Sequence, residues 1–176
     1  MGDVRPDALS PAHAALGERL SARFGERVAS EPPCRGQWIV AVAPAELLAV
    51  LAFARDELGL GHLSDVTAVD HLERVPRFDV VYQLAAPQLG VRLTVKTRVA
   101  PGEAVPSVTE LWAGANYPER EVYDLFGIPF EGHPHLARIL LPDEFEGHPL
   151  RRDFPLGEVE VDFDIPHRKR FSHAPN

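Results

Sequence analysis

Alternation of apolar and polar residues is clearest in the middle of the chain. Phe78, Val80, Tyr82 and Leu84 alternate with Asp79 and Gln83, and Val91, Leu93, Val95 and Val99 alternate with Arg92, Thr94, Lys96 and Arg98. A period of two places successive side chains on opposite faces of a strand. Pro87 and Gly90 predict the hairpin turn between these strands. Leu63 to Val69 is a third strand with mixed patterning. Upstream the period changes. Leu47, Leu51, Ala54 and Leu58 recur at steps of four and three, which predicts a helix over about Ala45 to Leu58, ended by Gly59. A first helix is expected from Pro11 to Phe24, with Ser10 as its N-cap and Gly25 as its C′ residue. Pro32, Pro33 and Gly36 predict a turn over Glu31 to Gly36, and Gln37 to Val42 reads as a short strand. The residue pattern alone therefore gives helix, strand, helix, three strands. That is an α+β fold in two layers, with helices packed on one face of a sheet.

The texture changes at Pro106. Ser107 with Glu110, and Asn116 with Glu119, have capping-box spacing, so helical turns are expected to start there. Pro118 falls in a first turn, where a helix needs no N–H. Val122, Leu125 and Phe126 make a small apolar face that Gly127 ends. Beyond it prolines stand at 129, 134, 142, 149, 155 and 166. Three segments result: an α+β domain over 1–105, a short helical segment over 106–127, and an extended tail over 128–176.

The chain has 176 residues, room for one domain or one domain plus a tail. Its net charge of −8 argues against general nucleic-acid binding and against docking on anionic lipid through a basic patch. A single cysteine, Cys34, cannot supply an internal disulfide, an iron–sulfur site or a cysteine zinc site. Met1 to Ser10 is polar and carries no signal-type apolar run. The longest apolar stretch, Ala41 to Ala54, is broken by Pro44 and Glu46, so membrane association is expected only through a partner.

The densest charge cluster is Glu119-Arg120-Glu121-Val122-Tyr123-Asp124. Two nearby carboxylates could act as a general acid and base. The simpler reading is a capped helix, with Glu119 and Glu121 in the first turn and Arg120 paired to Asp124 four residues on. A charged face that docks a partner is the third. Downstream, Phe130-Glu131-Gly132-His133-Pro134 recurs as Phe145-Glu146-Gly147-His148-Pro149. With His135 this makes three histidines, which raises a metal site and a small metal-dependent hydrolase. The spacing matches no recognised ligand pattern. The preferred reading is two sharp Gly/Pro turns whose histidines bond backbone carbonyls. Gly59-Leu60-Gly61 lacks the context of a dinucleotide fingerprint, and neither a Walker-type loop nor a G-x-S-x-G elbow occurs.

One run is far more specific. Glu119-Arg120-Glu121-Val122-Tyr123-Asp124-Leu125-Phe126-Gly127-Ile128 leads into Phe130-Glu131-Gly132-His133-Pro134. Arg138-Ile139-Leu140-Leu141 and Gly147-His148-Pro149-Leu150-Arg151-Arg152-Asp153-Phe154-Pro155-Leu156 follow. This run closely resembles the signature of the C subunit (30 kDa subunit) family of NADH:quinone oxidoreductase, respiratory complex I, which has a relative in membrane-bound nickel–iron hydrogenases. Asn116-Tyr117-Pro118 departs from the family, where an aromatic is followed by a non-proline residue. The resemblance implies an element order of helix, two strands, helix, three strands. It implies a peripheral-arm protein without a redox centre, taking part in oxidoreductase activity only as part of the complex, with flavin and iron–sulfur clusters in other subunits. It also implies packing against the D subunit of the complex near the quinone-reducing module, beside other peripheral-arm subunits on the cytoplasmic side of a bacterial cell membrane. The equivalent subunit of an energy-converting hydrogenase is the alternative.

The residues expected at a partner interface are Glu119, Arg120, Glu121, Asp124, His133, Pro134, Arg138, His148, Pro149, Arg151, Arg152 and Asp153. The planar forks of Arg151 and Arg152 suit carboxylates or carbonyls of the D subunit. Val159, Val161 and Phe163 join them. Glu158, Glu160, Asp162 and Asp164 alternate with Val159, Val161, Phe163 and Ile165, so the segment reads as a strand with one acidic and one apolar face. A lone strand leaves its backbone unpaired, and the expectation is that it lies on a partner.

Overall fold

A computed structural model describes residues 9–34 and 37–155. The expected strand over 158–165, with Val159, Val161 and Phe163, lies outside the described residues. The elements run α1 (Pro11–Phe24), β1 (Val28–Cys34), β2 (Gln37–Val42), α2 (Leu47–Asp56), β3 (His62–Asp70), β4 (Phe78–Ala86), β5 (Val91–Val99), β6 (Val105–Pro106), α3 (Asn116–Phe126) and β7 (Phe130–Glu131). Five strands form one mixed sheet in the order β1-β2-β5-β4-β3. Only the β2–β5 pairing in it is parallel; β1–β2, β5–β4 and β4–β3 are antiparallel. A two-stranded parallel pairing of β6 with β7 stands apart.

Register assigns the faces. Trp38, Val40 and Val42 of β2 sit opposite Leu93, Val95 and Thr97 of β5, which sit opposite Leu84, Tyr82 and Val80 of β4. The apolar members of this set form one core with Leu16, Leu20 and Phe24 of α1, Leu47, Val50, Leu51 and Ala54 of α2, and Val122 and Phe126 of α3. The α+β two-layer architecture is therefore present. The other sheet face carries charged and polar side chains beside buried Ile39 and Val81, and ion pairs cross it: Glu31 accepts from Lys96 Nζ at 2.7 Å and Arg98 Nη2 at 2.6 Å. Each fully buried aliphatic side chain on the core face contributes roughly 1.5–3 kcal/mol relative to leaving it in water.

The structure corrects the sequence reading at three points. The turn expected over Glu31 to Gly36 is, through Cys34, part of strand β1, so two strands precede α2, as the family resemblance implied. Strand β1 lies at the sheet edge, where a missing N–H is tolerated, and the pairing register shifts between Glu31 and Cys34 around Pro32 and Pro33. The second helix begins later than expected, at Leu47, after a 3₁₀ turn over Pro44–Glu46. Neither downstream capping box forms: the Ser107 hydroxyl reaches Glu119 and Thr109, and α3 starts at Asn116 without a side-chain cap. After α3 the chain folds back along that helix through residue 155, where its backbone groups find partners although few of its side chains are buried.

Candidate functional site

The signature residues converge on α3, and most of their polar atoms meet this chain's own backbone. At the N-terminal end the Glu119 carboxylate is fully buried and accepts from Ser107 Oγ at 2.6 Å and from Val108 N–H at 2.7 Å. Burial pushes its pKa up, partly offset by those two bonds. Tyr82, fully buried on the neighbouring strand, has a hydroxyl without a hydrogen-bond partner among the described residues; burial, then the nearby Glu119 charge, raises its pKa well above the ordinary value. His133 Nε2 lies 3.2 Å from the Asn116 carbonyl and 4.0 Å from Glu119. Its Nδ1 accepts the His135 N–H at 3.0 Å, so the ring is the Nε2–H tautomer with both nitrogens occupied.

At the other end, all four terminal carbonyls of α3 are occupied. A helix leaves these groups without intrahelical donors. Gly127 N–H bonds Tyr123 O at 2.9 Å, His148 Nδ1–H bonds Asp124 O at 2.8 Å, Leu150 N–H bonds Leu125 O at 3.1 Å, and Arg151 Nε–H bonds Phe126 O at 2.6 Å. The cationic guanidinium also suits the negative end of the helix dipole. The two Gly-His-Pro copies thus place one histidine on a carbonyl at each end of α3, the kind of contact expected from the sequence. Pro134 and Pro149 follow these histidines, exposed and half-buried respectively.

Between the ends, Asp124 is fully buried. Its Oδ2 accepts three successive backbone N–H groups, from Ile139 at 3.0 Å, Leu140 at 2.8 Å and Leu141 at 3.0 Å, while Oδ1 takes Arg138 Nη1 at 3.2 Å. Burial alone would raise its pKa; the three N–H groups and the Arg138 charge outweigh it and hold the carboxyl below the usual range. Arg120 does not pair with Asp124 as expected. It donates to the carbonyls of Ala137 and Arg138, both at 3.0 Å. Glu121 is exposed.

The Arg151-Arg152-Asp153 segment is also engaged internally. Arg151 reaches the Phe126 and Gly127 carbonyls, Arg152 N–H donates to Asp70 at 2.8 Å, and Asp153 takes a two-pronged ion pair from Arg77 at 2.7 and 2.8 Å. Arg77 also bonds Asp70 through Nε at 2.8 Å and Nη2 at 2.6 Å. Arg77 and Arg151 lie over the Phe78 ring at 5.0 and 5.5 Å. Sequence reasoning missed Asp70 and Arg77. The available signal was position 70: with Val66 and Ala68 it continues the inward face of β3, and a carboxylate facing a core needs a cationic partner. The Arg77 bonds, ahead of burial's opposing effect, hold Asp70 far below the usual carboxylate range. Its stabilisation is therefore present at neutral pH and lost only as pH falls well below the ordinary value of about 3.9. Asp70→Asn is expected to lower stability by about 2 kcal/mol, read by chemical denaturation at pH 7, with a smaller difference at strongly acidic pH.

Among the described residues, no group of three His, Cys, Asp or Glu side chains is placed to hold a metal ion, and no helix is long and apolar enough to cross a membrane. An open groove of about 870 Å³ is lined by His13, His62, Asp65 and Arg92 among others, and none of the signature residues borders it.

The fold and its signature define a class: an α+β protein whose charged helix organises a long irregular segment of its own chain. This chain belongs to the respiratory-chain NADH dehydrogenase 30 kDa subunit family, whose model matches residues 40–160. It is 43% identical over 166 residues to the NADH-quinone oxidoreductase C subunit of Roseiflexus sp. (strain RS-1), covering 93% of this chain and 95% of that one. It is 45% identical over 159 residues to the protein of the same name from Agrobacterium fabrum (strain C58 / ATCC 33970), covering 89% and 80%. A chain in the structure of the membrane-bound sulfane sulfur reductase, an archaeal respiratory membrane complex, shares the fold with a TM-score of 0.70 at 22% identity, over 82% of this chain and 86% of that one.

Proposed function

We propose that this chain is a non-catalytic structural and assembly component in the peripheral arm of an NADH–quinone oxidoreductase. It packs on the D subunit beside the quinone-reducing module, on the cytoplasmic side of the cell membrane, and carries no flavin or iron–sulfur cluster of its own. The observation that carries this reading is the direction of the signature's polar groups. Glu119, Arg120, Asp124, His133, His148 and Arg151 bind backbone or buried partners of the same chain and so shape a surface, without converging on a cleft. The 43–45% identity to proteins named as the C subunit of NADH-quinone oxidoreductase favours this complex over a hydrogenase.

Two measurements test it. A tag on this chain in the native host should recover the other subunits from solubilised membranes, with the D subunit cross-linked to it. The purified chain alone should oxidise no NADH, reduce no quinone and contain neither stoichiometric flavin nor iron. Recovery of the chain as a free protein refutes the assembly role; a bound redox group refutes the non-catalytic one.

A further inference from the structure

Three large apolar side chains stand exposed along one strip beside α3: Ile139 at 36%, Leu140 at 60% and Leu150 at 51% of their accessible surface. None hangs on an unsupported loop. Asp124 holds the N–H groups of Ile139 and Leu140, and the Leu125 carbonyl holds that of Leu150. Two adjacent residues of one helix therefore fix all three backbones. The segment between them carries Asp143, Glu144 and Glu146, all exposed. The nearby cations turn inward: Arg138 onto Asp124 and Arg120 onto two carbonyls. Exposed Arg152 lies two residues beyond Leu150, with its N–H on Asp70. The strip is thus an apolar centre with a predominantly acidic border.

Exposed apolar side chains rimmed by polar ones mark protein-interaction surfaces. A backbone already ordered in the free chain removes part of the entropy cost of association. Charge complementarity selects the occupant, because a like-charged surface would be repelled from the carboxylate border. We propose that this strip docks a neighbouring protein of the complex through an apolar ridge flanked by Lys and Arg side chains. This deepens the assembly reading above and rests on it.

The test uses the full chain in its native complex. A photo-reactive benzophenone side chain replaces Leu140, and the adduct is mapped by mass spectrometry. The expected adduct joins another protein of the complex at an apolar peptide bearing Lys or Arg within a few residues. The pair Leu140→Asp and Leu150→Asp should lower recovery of the other subunits about ten-fold, since truncating or charging a docked anchor disrupts binding on that scale. Asp143→Lys, Glu144→Lys and Glu146→Lys together should lower it at least about three-fold. The isolated variants should melt as the unmodified chain does, because these side chains are exposed. An adduct to residues 156–176 of this chain, an adduct to an acidic partner peptide, or unchanged recovery of partners by the variants overturns the proposal. Failure of the unmodified chain to recover any partner overturns the assembly reading instead.

Discussion

Gly127→Ala is expected to destabilise the chain by about 4 kcal/mol, while the same change at Gly90 costs about 1 kcal/mol. Both glycines are left-handed, with φ of 69° and 62°. Both substitutions therefore incur the conformational penalty of placing a Cβ there. They differ in what the Cβ meets. At Gly90 nothing lies within 4 Å, whereas at Gly127 the new carbon collides with the His148 ring and the Arg151 guanidinium. The guanidinium is the far end of a flexible side chain, but the imidazole is rigid and held by its bond to Asp124 O. Displacing both leaves the Asp124 and Phe126 carbonyls without donors, at roughly 1–1.5 kcal/mol each. Denaturant unfolding of the two variants against the parent measures the contrast. Equal costs at the two sites would show that His148 and Arg151 do not hold the end of α3.

How much of this is legible in the sequence depends on how far apart the interacting groups lie. Helix α1 is legible to its bounds because its signals are local: Ser10 precedes it and Gly25 follows it. Strands β4 and β5 are legible because alternation survives burial on one face. Strand β1 is not, since an edge strand accepts the prolines that in a central strand would forbid pairing. The family run identifies the chain, yet residue types alone do not say what the run does. Capping spacing points Ser107 to Glu110, three residues on, but the hydroxyl bonds Glu119, twelve residues on, because that carboxylate is buried and needs donors. Helical spacing likewise points Arg120 to Asp124, whereas each finds partners in the segment 137–141. The paired histidines are legible as carbonyl binders because a Gly-His-Pro turn leaves few other options. Which carbonyls they reach depends on how the tail folds back, and no local pattern encodes that.

Removing the Asp124 carboxylate should loosen the whole return segment. Asp124→Ala is expected to cost about 4 kcal/mol, because it leaves three neighbouring N–H groups and the Arg138 guanidinium without their acceptor. Asp124→Asn separates geometry from charge. Its amide oxygen can still face the N–H groups of Ile139, Leu140 and Leu141, but its NH₂ then points at Arg138 and the negative charge is gone. The expected cost is about half that of the alanine variant. The pH dependence has a definite sign. The folded-state pKa of Asp124 lies below its unfolded value, so the unfolded chain binds the proton more readily. Its stabilisation is complete above the ordinary carboxylate pKa of about 3.9 and declines as pH falls through the lower folded value. The difference between the parent and Asp124→Asn should thus be constant from neutral pH down to about 5 and shrink below about 4. Hydrogen exchange locates the effect: the amides of Ile139, Leu140 and Leu141 should lose protection in the alanine variant while those of β4 and β5 keep theirs. If those three amides stay protected, Asp124 is not what holds them, and the exposed strip they carry is ordered by something else.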